Sequence, residues 1–163
     1  MTRIRAAAAE DWPAIWPIVE GVVRAGETFT YPTGASEEEA RAMWMLEAPG
    51  RTVVAVDEDG AVSGTAKMNP NHMGPSSHVA SASFMVAPDR YGQGIGRALG
   101  EHALAWAREE GYRAMQFNAV VETNTRAVAL WRSLGFDIAG TLPQAFRHPA
   151  HGYVGLHVMY RLL

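Results

Sequence analysis

At 163 residues, 48% apolar and 19% charged, the chain is long enough for one domain with a substantial core and too apolar for a disordered one. A net charge of −3 argues against nucleic acid as the main partner, and the absence of cysteine excludes disulfides, thiolate nucleophiles and cysteine metal sites. The N-terminus has no run that fits a signal peptide, and the uncharged stretch Met68–Pro88 is broken by Pro70, Gly74 and Pro75, so the expectation is a cytoplasmic protein without a membrane partner.

Thr2–Ala6 reads as a short edge strand. Asp11 is placed to cap a helix with Pro13 in its first turn, and Trp12, Ile15, Trp16, Val19, Val22 and Val23 recur at helical spacing. Pro17, inside that pattern, weighs against an unbroken helix, and Gly26 ends it. Glu27–Ala35 has no period and reads as a loop carrying Phe29 and Tyr31. Ser36-Glu-Glu-Glu39 matches a capping box and opens a helix through about Leu46. Pro49-Gly50 is a turn, Arg51–Val56 a strand, Asp57-Glu-Asp-Gly60 a hairpin turn and Ala61–Met68 the returning strand.

Asn69–Ser77 is a polar loop rich in Pro, Gly and Ser, and His78–Val86 is the next strand. The turn Gly92–Gly96 opens a helix to about Glu110, apolar at Ile95, Leu99, Ala103, Leu104 and Trp106. Ala114–Val121 is near-continuously apolar, as a central strand should be. Thr123 or Thr125 can cap a short helix through Leu134, closed by Gly135. Phe136–Leu142 and Tyr153–Leu163 read as final strands joined by a loop, Pro143–Gly152. The order β-α-α-β-β-β-α-β-α-β-β describes one α/β (α+β) domain over residues 1–163.

One stretch organises the chemistry: Val86-Ala-Pro-Asp-Arg-Tyr-Gly-Gln-Gly-Ile-Gly-Arg-Ala-Leu99. Pro88 stops the strand. Gly92, Gly94 and Gly96 leave backbone uncovered at a helix start, where several N–H groups on the positive end of the helix can converge on an anion. The spacing is neither the Gly-x-Gly-x-x-Gly of dinucleotide folds nor a Gly-Lys-Ser/Thr phosphate loop. Alone, it also fits an ordinary tight turn.

With its surroundings, the whole chain resembles the GCN5-related N-acetyltransferases. The resemblance rests on Val86-x-Pro88, on Gly92-x-Gly94-Ile95-Gly96-Arg97-Ala98-Leu99, and on Asn124-x-x-Ala127-x-x-Leu130-Trp131-x-x-Leu134-Gly135-Phe136. It implies a central, mixed, mostly antiparallel twisted sheet of six to seven strands, flanked by about four helices and splayed between the fourth and fifth strands. It implies acetyl-CoA as co-substrate and no metal. The turn from Tyr91 through Gly92, Gln93, Gly94, Ile95, Gly96, Arg97 and Ala98 would bind the coenzyme, with the backbone N–H groups of Gln93 to Arg97 holding the pyrophosphate. Met85 and Val86 would run along the pantetheine arm, Val86 offering its N–H to the thioester oxygen, with Asn124, Ala127 and Trp131 beside them. Acetyl transfer passes through an oxyanion that a fixed N–H stabilises. Two positions depart from the family pattern. Tyr91 stands where Arg or Gln is usual, and Trp131 where Tyr often donates a proton to the departing thiolate, which indole cannot do.

The attacking amine must lose a proton, and the strand before the turn carries no carboxylate. His78, Glu122 and Asn118 are the candidate catalytic groups beside Val86; each also reads as an ordinary surface or structural residue. Phe117–Asn124 and the segment from Phe146 to Tyr153 resemble a proline-analogue acetyltransferase branch, and Glu27-Thr28-Phe29 a phosphinothricin acetyltransferase branch. That narrower resemblance implies a small amino-acid-like amine as partner, with Glu27, Phe29, Tyr31, Ser81, Asn118 and Tyr153 around it and Arg147 or Arg24 on its carboxylate. The expected reaction is direct attack in a ternary complex. Acetylation of a protein N-terminus and a non-catalytic acyl-CoA sensor are the alternatives, and a homodimer is compatible with the family's C-terminal strands.

Overall fold

Strands form where β-branched and apolar residues run between turn signals, and the computed structural model describes all residues from 1 to 163. In chain order the elements are β1 (Arg3–Ala6), α1 (Trp12–Ala25), α2 (Glu37–Trp44), β2 (Arg51–Val56), β3 (Val62–Pro70), β4 (Val79–Val86), α3 (Ile95–Glu109), β5 (Ala114–Val121), α4 (Thr125–Ser133), β6 (Asp137–His148) and β7 (Gly152–Leu162). The strands make one seven-stranded sheet in the order β1-β2-β3-β4-β5-β7-β6, antiparallel throughout except for the β4–β5 pair. The mixed α/β architecture, the strand number and the four helices match the expectation.

The pair β4–β5 decides where a ligand can enter. Only Val79 with Ala114 and Ala80 with Met115 are paired; beyond them the strands part. The rings of Phe84, Phe117 and Trp131 pack on one another where the strands diverge, with centroids 4.6–5.7 Å apart. Alternation along each strand sends residues to opposite faces. Ala66, Met68, Ala80 and Ala82 meet Leu99, Ala103, Leu104 and Trp131 of α3 and α4 on one side. Val54, Val56 and Met85 meet Trp12, Ile15, Val19 and Trp44 of α1 and α2 on the other. Gly64 brings the first turn of α3 down onto β3: a Cβ there would lie 2.9 Å from Ile95 Cγ2 and 3.2 Å from the Met85 carbonyl oxygen.

Several local expectations change. Asp11 does not cap α1; its carboxylate turns back to accept from the Ala8 amide at 2.7 Å and from Arg5 at 2.7 and 2.8 Å, closing a 3-10 turn over Ala9–Asp11. Pro17 leaves α1 unbroken because it is exposed, so the Pro13 carbonyl it leaves unpaired faces water. The capping box at Ser36 forms as expected, but α2 ends at Trp44. The cap of α4 is Asn124, whose Oδ1 accepts from the Ala127 amide, and neither Thr123 nor Thr125 fills that place. The stretch Pro143–His148 is not a loop but the second half of β6. Its register shifts between Leu142 and Phe146, with Gln144 at φ 53°. A bulge on an edge strand accommodates Pro143, whose missing N–H costs nothing there.

Candidate active site

The backbone of β4 builds the first part of the site. Ala87 donates to the Ser63 carbonyl at 2.9 Å, so Met85, Ser83 and Ser81 direct their peptide groups at β3, and Ala82, Phe84 and Val86 direct theirs at the opposite edge. Since β5 pairs only as far as Ala80, the N–H and C=O groups of Ala82, Phe84 and Val86 face open space. The Val86 N–H therefore faces the cleft. Met85 borders the cleft but does not address it through its backbone; its side chain is buried against α1 and α2. Phe84 is the residue that sequence reasoning passed over, because pairing register is a property of two strands and not of one.

The turn after β4 builds the second part. Gly92 and Gly94 have φ of 81° and 79°, a conformation that side chains with Cβ resist. Gly94 is the N-cap of α3 and has no side chain with which to cap it. The amides from Gly92 to Arg97 donate to no oxygen of the protein; the first helical bond here is Ala98 N–H to the Gly94 carbonyl. Free amides at the positive end of a 15-residue helix favour an anion. They open on a cleft of about 560 Å³ whose wall also includes Glu27, Phe29, Asn124, Ala127, Leu130 and Trp131.

Three arginines border this cleft: Arg90, Arg97 and Arg126. Arg97 is held by Ser133 Oγ at 2.7 Å and Glu101 at 3.4 Å, and Arg90 by Asp57 at 3.1 Å. Arg126 lies with its guanidinium carbon 5.9 Å from the ring centre of exposed Tyr91. Tyr91 thus carries a cation supplied from α4, thirty-five positions along the chain. Nothing in the sequence pairs the two residues. The free amides and the cations suit a phosphate-bearing group such as coenzyme A.

A second chamber of about 240 Å³ shares Thr28, Phe29, Phe84, Asn124, Ala127 and Trp131 with the cleft and continues to Tyr31, Ser81, Ser83, Phe117 and Asn118. No charged side chain lines it. The Phe29 and Tyr31 rings pack tilted with centroids 5.6 Å apart, and burial pushes the Tyr31 phenol up to about 12, so it is a neutral donor at ordinary pH. Asn118 stands where β5 bulges, between the Phe117 and Val120 pairings with β7. Its Oδ1 accepts from Gln116 Nε2 at 2.8 Å and its Nδ2 donates to Asn71 Oδ1 at 2.7 Å. Asn71 and Gln116 were not legible as site residues; both lie in segments whose polarity reads as loop or strand surface.

Five expected residues lie elsewhere. His78 is exposed at the closed end of the β4–β5 pair, on the order of 25 Å from Val86 at 3.3 Å per strand residue. Glu122 is committed to β7: its Oε1 accepts from the Gly155 amide at 2.6 Å, and it lines neither cavity. Arg147 and Tyr153 face each other in the exposed β6–β7 hairpin and line neither cavity. Arg24 pairs with Glu20 on the exposed side of α1. Trp131 is buried, its ring tilted against those of Phe84 and Phe117, and it lines both cavities.

Residues 7–136 match the model of the acetyltransferase (GNAT) family. The chain is 33% identical over 112 residues to N-acetyltransferase aca1 of Schizosaccharomyces pombe, an alignment covering 68% of this chain and 54% of that protein, so it spans little more than half of that relative's length. A GCN5-related N-acetyltransferase from Kribbella flavida has the same fold at TM-score 0.97 and 57% identity, over 99% of this chain and 98% of that one. A phosphinothricin acetyltransferase from Sinorhizobium meliloti, solved with AcCoA, superposes at TM-score 0.89 and 27% identity, over 99% of this chain and 88% of that one.

Proposed function

The chain belongs to the acetyltransferase (GNAT) family, and from that premise we propose that it moves the acetyl group of acetyl-CoA to the amine of a small amino-acid-like molecule, by direct attack with both substrates bound. The observation that carries this reading is the junction of the two cavities. The unpaired edge of β4 leads from an amide-lined cleft into a small, uncharged chamber covered by the α1–α2 loop. An amino acid fits such a chamber better than an extended peptide does, which favours a small acceptor over a protein N-terminus. The phosphinothricin acetyltransferase named above supports the same class.

Acetyl-CoA supplies the activated acyl group and a leaving thiol with a pKa of about 8.5, fair at neutral pH without an acid. The amides from Gly92 to Arg97 bind the pyrophosphate, and Arg126, set on Tyr91, adds the side-chain cation that the usual Arg or Gln would have given. The Val86 N–H donates to the thioester oxygen as charge develops there, and the Phe84 peptide groups, one repeat away, are left for the pantetheine arm or the acceptor. Asn124 uses its Oδ1 to cap α4 and keeps its amide N–H groups for the pantetheine arm. Asn118, held by Asn71 and Gln116, orients the acceptor. No carboxylate or imidazole lines the chamber, so the amine proton leaves to solvent past Ser81, Ser83 and Asn118. A side-chain base contributes about 10²–10⁴-fold where one exists, and a free amine can react without it.

Thiol release from acetyl-CoA, measured against amino acids, amino-acid analogues, polyamines and short peptides, tests the reading. Turnover on the amino-acid-like set and not on peptides is the expected result. Coenzyme binding with no thiol release from any amine overturns it in favour of an acyl-CoA sensor.

A further inference from the structure

Lys67 is the only lysine of the chain. It lies in β3, directly across from Ser83 of β4, on the face that α1 and α2 cover. Residues paired in this way hold their Cβ atoms about 4.5–5.5 Å apart, which sets the base of the lysine stem beside Ser83 of the chamber wall, while Lys67 itself lines a neighbouring cavity of about 270 Å³ with Glu47 and Asn69. Its ammonium is 5.1 Å from the ring centre of Tyr31, which forms the chamber wall, and 5.5 Å from that of Trp44. It donates one hydrogen bond, to the Met43 carbonyl near the end of α2 at 2.8 Å. No carboxylate comes within ion-pair distance of it. A half-buried ammonium with three donors, one neutral acceptor and no counter-charge is incompletely paired, and burial lowers its pKa to about 8.

The arginines expected to hold a substrate carboxylate are outside the cleft, and the chamber itself is uncharged. We propose that Lys67 is the specificity-determining cation of the acceptor site and takes the carboxylate of an amine acceptor lodged between Tyr31 and Ser83. This rests on the acetyl-transfer reading above and names its acceptor class: an amine of amino-acid size that carries a carboxylate. Ser83 is about 10 Å from Val86 along β4, at 3.3 Å per residue. An amino acid or amino dicarboxylate, with a hydrogen-bond length added at each end, spans that interval with its amine toward Val86. The bound carboxylate supplies the missing counter-charge, while the aromatic rings keep the ammonium in place when the site is empty.

The experiment pairs each acceptor with its neutral twin: L-amino acids and amino dicarboxylates against the same compounds with the carboxylate made a carboxamide. In Lys67→Met the KM for carboxylates should rise about 10- to 100-fold, with kcat changed by less than about threefold and carboxamide kinetics unchanged. Lys67→Arg should recover part of the loss, and acetyl-CoA affinity should stay constant in both. Equal losses for carboxylate and carboxamide acceptors, or no loss, overturn the proposal. Because Lys67 is alone, lysine-labelled wild-type protein gives a single side-chain NMR signal, read with coenzyme A present. Carboxylates should shift it and carboxamides should not; a signal that no carboxylate moves overturns the assignment. If no amine supports thiol release at all, the acetyl-transfer reading fails, and this signal still decides for or against Lys67 as a carboxylate site.

Discussion

The two ends of the cleft are built from different materials. At the coenzyme end, one contiguous stretch from Phe84 to Ala98 supplies a strand edge, a turn and a helix start, and the groups left free there are peptide N–H groups. At the acceptor end, Thr28 and Tyr31 of the α1–α2 loop, Ser83 of β4 and Asn118 of β5 come together and present side chains. A backbone cradle depends on residues that stay out of the way, so its sequence is glycine-rich and recognisable. A side-chain chamber depends on which strands are neighbours and which loop folds over them, and many residue types serve.

The contrast can be broken at either end. The largest effect belongs to Gly94→Val, which puts a β-branched residue at φ 79° and fills the cradle mouth. Acetyl-CoA affinity by calorimetry should fall at least about 100-fold while the circular dichroism spectrum persists. Normal affinity would move the phosphates elsewhere. Next, Asn118→Ala should lower kcat by about 10- to 100-fold through lost orientation and leave the acetyl-CoA KM alone. Equal losses in both would make Asn118 a part of the coenzyme end.

Arg126→Ala should weaken coenzyme binding only about fivefold, since an exposed cation on an aromatic ring is worth roughly 1 kcal/mol. Tyr91→Ala should do the same, and the double variant should cost no more than slightly above either, because the two act as one unit. Glu122→Gln and Arg147→Ala should change kcat/KM by less than about twofold, as residues placed outside the cavities. A tenfold loss in either would return it to the reaction.

The smallest effect is a pH dependence at the coenzyme end. The Ala61 amide, followed by Arg90 and the Asp59 amide, holds the Asp57 carboxyl below its ordinary value. A depressed carboxyl stabilises the fold above its unfolded value of about 3.9, and that contribution disappears as pH falls through the folded value. The Tm difference between wild type and Asp57→Asn should therefore be present at pH 7 and vanish on acidification; a difference that grows in acid would contradict the assignment.

Element order, the capping box at Ser36, the glycine turn and the second motif at Asn124–Phe136 were all legible, because each is a local pattern with a local cause: helical spacing, a cap or a positive φ. The placement of His78 and Glu122 away from both cavities was not legible, for the converse reason. His78 and Glu122 are near the site in sequence, but strand pairing carries the first to the closed end of β4–β5 and a bond to Gly155 ties the second to β7. Pro143 read as loop because proline disfavours strand interiors, and only the edge position of β6 shows why it is tolerated. The sequence by itself determined where an anion would be bound, since uncovered amides at a helix start need only glycines in a row. Tertiary structure alone decided what faces that anion and what faces the acceptor. The pairings of Arg126 with Tyr91, Asn118 with Asn71 and Lys67 with Tyr31 exist only once distant segments are folded together.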